Sequence, residues 1–199
     1  MCQFIETICY RNGQFHNLDL HQERFDLTRK HFFRTAPELQ LEPFLKIPDS
    51  LVEKTVKCRV LYDNEIVSIE YSEYAIKIIG SLQLVYSNSI DYTFKFADRS
   101  EINKLYATKG QADDILIVKK GLIADTSYAN IIFKKENKWY SPQNPLLQGI
   151  RLKKYTRIGR VTPTLLRPTD LPLFTEARII NAMISIEESP IISIENILI

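Results

Sequence analysis

Lys95 is the residue of this chain whose type and setting most suggest chemistry. It stands in DYTFKFADRSEINKL (Asp91–Leu105), where Tyr92, Phe94 and Phe96 alternate with Thr93, Lys95 and Ala97. That is the two-residue period of a strand with one aromatic face. An amine is a nucleophile only when deprotonated, and desolvation between aromatic neighbours lowers a lysine pKa. The plain alternative is a lysine on a solvated strand face, where most lysines lie. Directly after it, Asp98 reads as a helix N-cap with Glu101 as its capping-box partner, and a helix is expected to run to about Lys109.

Metal chemistry finds little support. His16, His21 and His31 have no HExxH or other ligand spacing, and Cys2, Cys9 and Cys58 form no CxxC pair. Nor do the charges suggest a nucleic-acid coat. The chain has 199 residues and a formal net charge of +2, and its 26 lysines and arginines are spread along its length, whereas backbone-phosphate binding needs a dense basic patch. The most basic stretch, RLKKYTRIGR (Arg151–Arg160), reads as a solvated helix face. No apolar run approaches the roughly 18 residues that span a bilayer. MCQFIETICY meets Glu6 before any apolar core develops, so it does not read as a signal peptide. A cytoplasmic, reduced protein that binds neither nucleic acid nor membrane is the expectation.

The elements that must position Lys95 read as α+β. QFIETICY is a strand, Asn12-Gly13 a hairpin turn, and LDLHQERFDLTRKHFF a helix with Leu18, His21, Phe25, Thr28 and Phe32 near one face. TVKCRVLY, EIVSIEYSEY and AIKIIGSLQLVY are three β-rich runs, expected in one antiparallel sheet. The turn-like SNSI (Ser87–Ile90) suggests a boundary between an N-terminal α+β domain, 1–87, and a C-terminal domain, 88–199. In the second half, Lys119-Lys120-Gly121 and Glu136-Asn137 separate short strands. NPLLQGIRLKKYTRIG gives a loop and then a helix from about Gly149 to Gly159, and EARIINAMISI a final buried strand.

Five of these pieces occur together in a known order. ETICYRNGQFHNLDLHQERF, FKFADR, GLIADTSYANIIF, SPQNPLLQGIR and INAMI resemble, with the same spacing, the class IV (fold type IV) aminotransferases. That family uses pyridoxal 5′-phosphate and includes branched-chain and D-amino acid aminotransferases and aminodeoxychorismate lyase. The resemblance implies a small N-terminal α/β sandwich domain followed by a C-terminal pseudo-barrel domain that binds the cofactor. It makes Lys95 the cofactor lysine and Arg24, in HQER, the phosphate arginine. Asp125 takes the place of a glutamate beside the ring nitrogen, with Asn130 five residues on. Ile150 and Arg151 would offer backbone amides to the phosphate at a helix start, and Asn181 and Ala182 would line its other side.

The reaction is less marked. Thr7 matches a threonine that assists proton transfer in aminodeoxychorismate lyase relatives. Ile5 replaces an aromatic found in several aminotransferases, and RVLYDNE lacks the arginine-glycine turn that some of them use for a substrate carboxylate; Arg59 is expected to face the core of its sheet. The reading is therefore a lyase resembling 4-amino-4-deoxychorismate lyase, acting on a small-molecule amine and forming a homodimer. The alternatives are an aminotransferase of the D-amino acid or branched-chain type, and a non-catalytic binding module that kept the fold.

Overall fold

The computed structural model describes residues 2–34 and 37–198. The chain forms two compact units, one of residues 1–75 and 94–98, the other of 76–93 and 99–199. The first division falls at Ala75/Ile76 rather than in SNSI. Its cause lies in the third β-rich run, whose strand pairs with the second unit's sheet and not with the first.

In the first unit β1 (Phe4–Arg11) turns at Asn12 and Gly13, both at positive φ, into β2 (Gln14–Phe15), and α1 (Leu18–Phe32) follows. β3 (Val56–Tyr62) and β4 (Ile66–Glu73) complete an antiparallel sheet of order β2-β1-β3-β4. Alternation sends Phe4, Ile8 and Tyr10 of β1, with Val56, Cys58, Val60 and Tyr62 of β3, into one apolar core with Phe25 of α1. Expectation and structure agree here, because a hairpin turn and an amphipathic helix are local signals.

The second unit holds β5 (Leu82–Tyr86), α2 (Ser100–Tyr106), β6 (Asp114–Lys119), β7 (Leu122–Thr126), β8 (Asn130–Lys135) and β9 (Lys138–Pro142). It continues with α3 (Ile150–Arg157), β10 (Val161–Thr164), β11 (Glu176–Ile180), β12 (Ile192–Ser193) and β13 (Ile197–Leu198). One mixed sheet runs β10-β9-β8-β7-β6-β5-β13, with β11 joined to β8 and β12 to β11. β5 pairs parallel with β6, so its run never belonged to the antiparallel sheet of the first unit. Ile132, Leu152, Tyr155, Val161, Ile180 and Ile186 pack α3 against this sheet. Among the described residues no helix is long and apolar enough to cross a membrane.

Two local expectations around Lys95 are corrected. Residues 91–98 form no strand; the segment has a single bridge, Phe96 to Phe4. Asp91 accepts hydrogen bonds from the amide of Thr93 at 3.0 Å and from its hydroxyl at 2.8 Å, a local turn that competes with extended pairing. Tyr92 consequently belongs to the second unit, while Phe94 and Phe96 pack in the first against Phe4 and Phe32. The helix that follows has Arg99, not Asp98, as its N-cap and stops at Tyr106, short of Lys109.

Candidate active site

In the first unit the site is built on β1 and α1. The amide of Ile5 donates to the Lys95 carbonyl at 2.9 Å, and that of Ala97 donates to the Gln3 carbonyl at 2.8 Å. Lys95, half-buried, is the middle residue of a tight turn in which the Phe96 amide donates to the Phe94 carbonyl at 2.8 Å, next to the bridge of Phe96 to Phe4, while Ile5 and Thr7 take the side of β1 away from Phe4. Arg59 stands directly across from Thr7 on β3 and shares that face, its guanidinium 3.5 Å from Glu70. This corrects the expectation for Arg59, since the core side of β3 is taken by Cys58 and Val60.

On the core side, in phase with Phe4 and Ile8, stands Glu6, with no exposed surface. His21 and Arg24 lie one turn apart on α1 and both reach it. Arg24 Nε donates to Oε1 at 2.8 Å and Arg24 Nη2 to Oε2 at 2.5 Å. His21 Nδ1 lies 2.6 Å from the same Oε2. Burial alone would raise the Glu6 pKa, but the Arg24 charge and the hydrogen bonds from His21 and Arg24 outweigh it and hold the carboxyl at about 2. His21 moves down from its ordinary value, first because it is buried and further because Arg24 and Lys95 are cations nearby; Glu6 pulls the other way. The imidazole is therefore neutral, donates Nδ1–H to Glu6, and has its Nε2 lone pair buried without a hydrogen-bond partner among the described residues.

Sequence reasoning passed over Glu6 as a site residue. Its signal was present: a single acid in phase with the apolar positions of FIETICY, followed by a histidine and an arginine three apart on a helix.

In the second unit Asp125 lies near the end of β7 and Asn130 begins β8, and they are paired directly across. Asn130 Nδ2 donates to Asp125 Oδ1 at 2.8 Å and to the Leu147 carbonyl at 2.9 Å, while the Leu147 amide donates to Asp125 Oδ2 at 3.0 Å. Both side chains are buried. Their amide and carboxylate thus clasp the loop that leads into α3. Gly149, the N-cap of α3, lies so close that a Cβ there would be 2.0 Å from Asn130 Oδ1. No side chain caps this helix, and the amide of Lys153 is the first to find a helical carbonyl, that of Gly149. The amides of Ile150 and Arg151 precede it and lack helical partners, the arrangement that suits an anion.

The Arg151 side chain is turned to another task. Its Nε donates to the Asn181 carbonyl at 3.2 Å and its Nη2 to the Ala182 carbonyl at 2.8 Å. Asn181 is not a strand residue: β11 ends at Ile180, and Asn181 Oδ1 accepts the amides of Met183 and Ile184 in a tight turn. In the second unit Asp125 and Asn130 hold the loop at Leu147 before Ile150, and Arg151 separately holds the turn at Asn181 and Ala182; in the first, Thr7 stands on β1, Arg24 on α1 and Lys95 in the segment beside β1.

Taken unit by unit, these residues have the chemistry an anionic aldehyde cofactor needs: in the second unit the start of α3, with amides that lack helical partners, suits a phosphate, and in the first an amine such as that of Lys95 suits a carbonyl.

Comparison with known proteins agrees with this chemistry. Residues 3–194 match the model of the amino-transferase class IV family. An uncharacterized protein of Haemophilus influenzae is 36% identical over 185 residues, 92% of this chain and 98% of that one. A crystal structure of a candidate 4-amino-4-deoxychorismate lyase from Haemophilus somnus is similar at 29% identity, with a TM-score of 0.86, covering 92% of this chain and 97% of the other. A T.th. branched-chain amino acid aminotransferase, complexed with N-(5′-phosphopyridoxyl)-L-glutamate, shares the fold at 17% identity and a TM-score of 0.74, over 96% and 75% of the two chains.

Proposed function

Because the chain belongs to the class IV aminotransferase family, a family of pyridoxal 5′-phosphate-dependent lyases and transaminases, we propose that it is a lyase that eliminates pyruvate from 4-amino-4-deoxychorismate to give 4-aminobenzoate. The observation that carries this reading is the backbone hydrogen bond from the Ile5 amide to the Lys95 carbonyl, which sets Lys95 beside the strand that bears Thr7, with Ile5 where several aminotransferases of the family have an aromatic. The similarity to the Haemophilus somnus structure supports it.

Pyridoxal phosphate, when bound, supplies an electron sink for the carbanion formed beside the substrate nitrogen. The protein's part is proton movement and placement. Lys95 Nζ would take the proton from the carbon bearing the substrate amine. The Thr7 hydroxyl would relay a proton by donating and accepting in turn. Arg59, across from Thr7, is a cation on its face for a substrate carboxylate. In the second unit the amides of Ile150 and Arg151 would hold phosphate oxygens, and Asp125 would give a carboxylate for the ring nitrogen. In the first, Arg24 would supply a cation for the phosphate, and a homodimer would be the working form.

Protein reconstituted with the cofactor is expected to release pyruvate from 4-amino-4-deoxychorismate. Formation of a new amino acid from an amino acid donor and 2-oxoglutarate, with no pyruvate released, would assign it to the transaminases instead.

A further inference from the structure

We propose that Glu6 is the positioning residue for phosphate recognition: it fixes the plane of the Arg24 guanidinium and so presents one edge of it to the phosphate. The proposal rests on the reading of Arg24 as the phosphate arginine.

A guanidinium has two edges that can take an oxyanion side by side, Nε with Nη2 and Nη1 with Nη2. Glu6 occupies the first, through Oε1 and Oε2. That contact alone would leave the carboxylate free to rotate. His21 removes this freedom, because its Nδ1–H is bonded to Oε2 from one helical turn away. The neutral state of His21 matters here, since Glu6 and Arg24 then balance one another and no surplus charge is buried. The second edge is not the one that meets Glu6, and the Arg24 side chain keeps 14% of its surface exposed.

An ion pair placed only for stability has little reason to sit here. A carboxylate with no exposed surface, on the strand side that carries Phe4 and Ile8 into the apolar core, is costly to desolvate, and an apolar residue of similar size commonly does as well. What the apolar residue cannot do is hold an arginine in one plane. A phosphate bound by two parallel N–H groups is sensitive to that plane, because a rotated fork donates one bond instead of two.

The test compares pyridoxal 5′-phosphate with pyridoxal, which has the aldehyde for Lys95 but no phosphate, by equilibrium absorbance titration. In Glu6→Gln the affinity for pyridoxal 5′-phosphate is expected to fall by about tenfold or more while that for pyridoxal changes by less than about twofold. Equal losses for both ligands, or no loss for either, would overturn the proposal. Arg24→Lys separates the two layers of the argument. If it loses the phosphate preference and Glu6→Gln keeps it, the positioning role of Glu6 fails and the reading of Arg24 stands. If Arg24→Lys keeps the preference, the reading of Arg24 itself fails. Should Glu6→Gln not fold, wild-type protein without cofactor decides by nitrogen-15 NMR. Slow rotation about the Arg24 Nε–Cζ bond is expected, and rotation as fast as that of an exposed arginine would overturn the proposal.

Discussion

Asp125 and Asn130 face each other across β7 and β8, and the 2.8 Å hydrogen bond between their side chains is continued by both residues to the backbone of Leu147. Asp125 thereby fastens the loop that carries the start of α3. Asp125→Asn is expected to turn an amide against the Leu147 amide and leave a buried donor unsatisfied. A loss of about 1–3 kcal/mol in urea unfolding should result. An unchanged unfolding midpoint would mean that the clasp contributes nothing.

Gly149 depends on the same asparagine. A methyl group there would meet Asn130 Oδ1 at 2.0 Å, and the φ of −64° leaves space, not backbone conformation, as the reason for glycine. Gly149→Ala should destabilise the protein by about 1–3 kcal/mol and weaken binding of pyridoxal phosphate. Adding Asn130→Ala should cost less than the two single changes summed, because the clash is then gone. Strict additivity in a double-mutant cycle would contradict this contact.

Acid should weaken the fold in two stages. His21 has a lowered folded pKa, so below its ordinary 6.5 the unfolded chain binds the proton first, and stability present above that pH is lost as pH falls. Glu6 adds a second limb. Its stability is present above 4.5 and lost toward a folded value of about 2, a difference equivalent to about 3 kcal/mol. Both groups act in the same direction. Unfolding free energy measured against pH should therefore decline from about pH 6.5 downward, and His21→Gln should remove the upper part of the decline. A curve flat between pH 7 and pH 5 would contradict the buried neutral histidine.

Local signals made much of this fold legible. Asn12-Gly13 marks its hairpin, the apolar face of LDLHQERFDLTRKHFF its helix, and Gly149 the entry to α3. The ordered set of family pieces named the other candidate residues and matched the family the chain belongs to. What could not be read were partnerships across the chain. FKFADR alternates like a strand, yet the Asp91–Thr93 turn and the passage from one unit to the other leave it a single bridge. Leu82–Tyr86 has the composition of any strand, and only its pairing with β6 shows which sheet it joins. Glu6 looked like an interruption in an apolar run, because its meaning comes from two residues of α1. Arg151 was legible for its backbone amide, whereas the use of its guanidinium to hold the turn at Asn181 and Ala182 depends on residues thirty positions away.

The central claim is that Lys95 bonds to the aldehyde of pyridoxal phosphate. Protein incubated with the cofactor, reduced with borohydride and digested should yield a peptide carrying the pyridoxyl group on Lys95, and Lys95→Ala should yield none. An adduct mapped to another lysine, or no adduct in protein that remains folded, would contradict it.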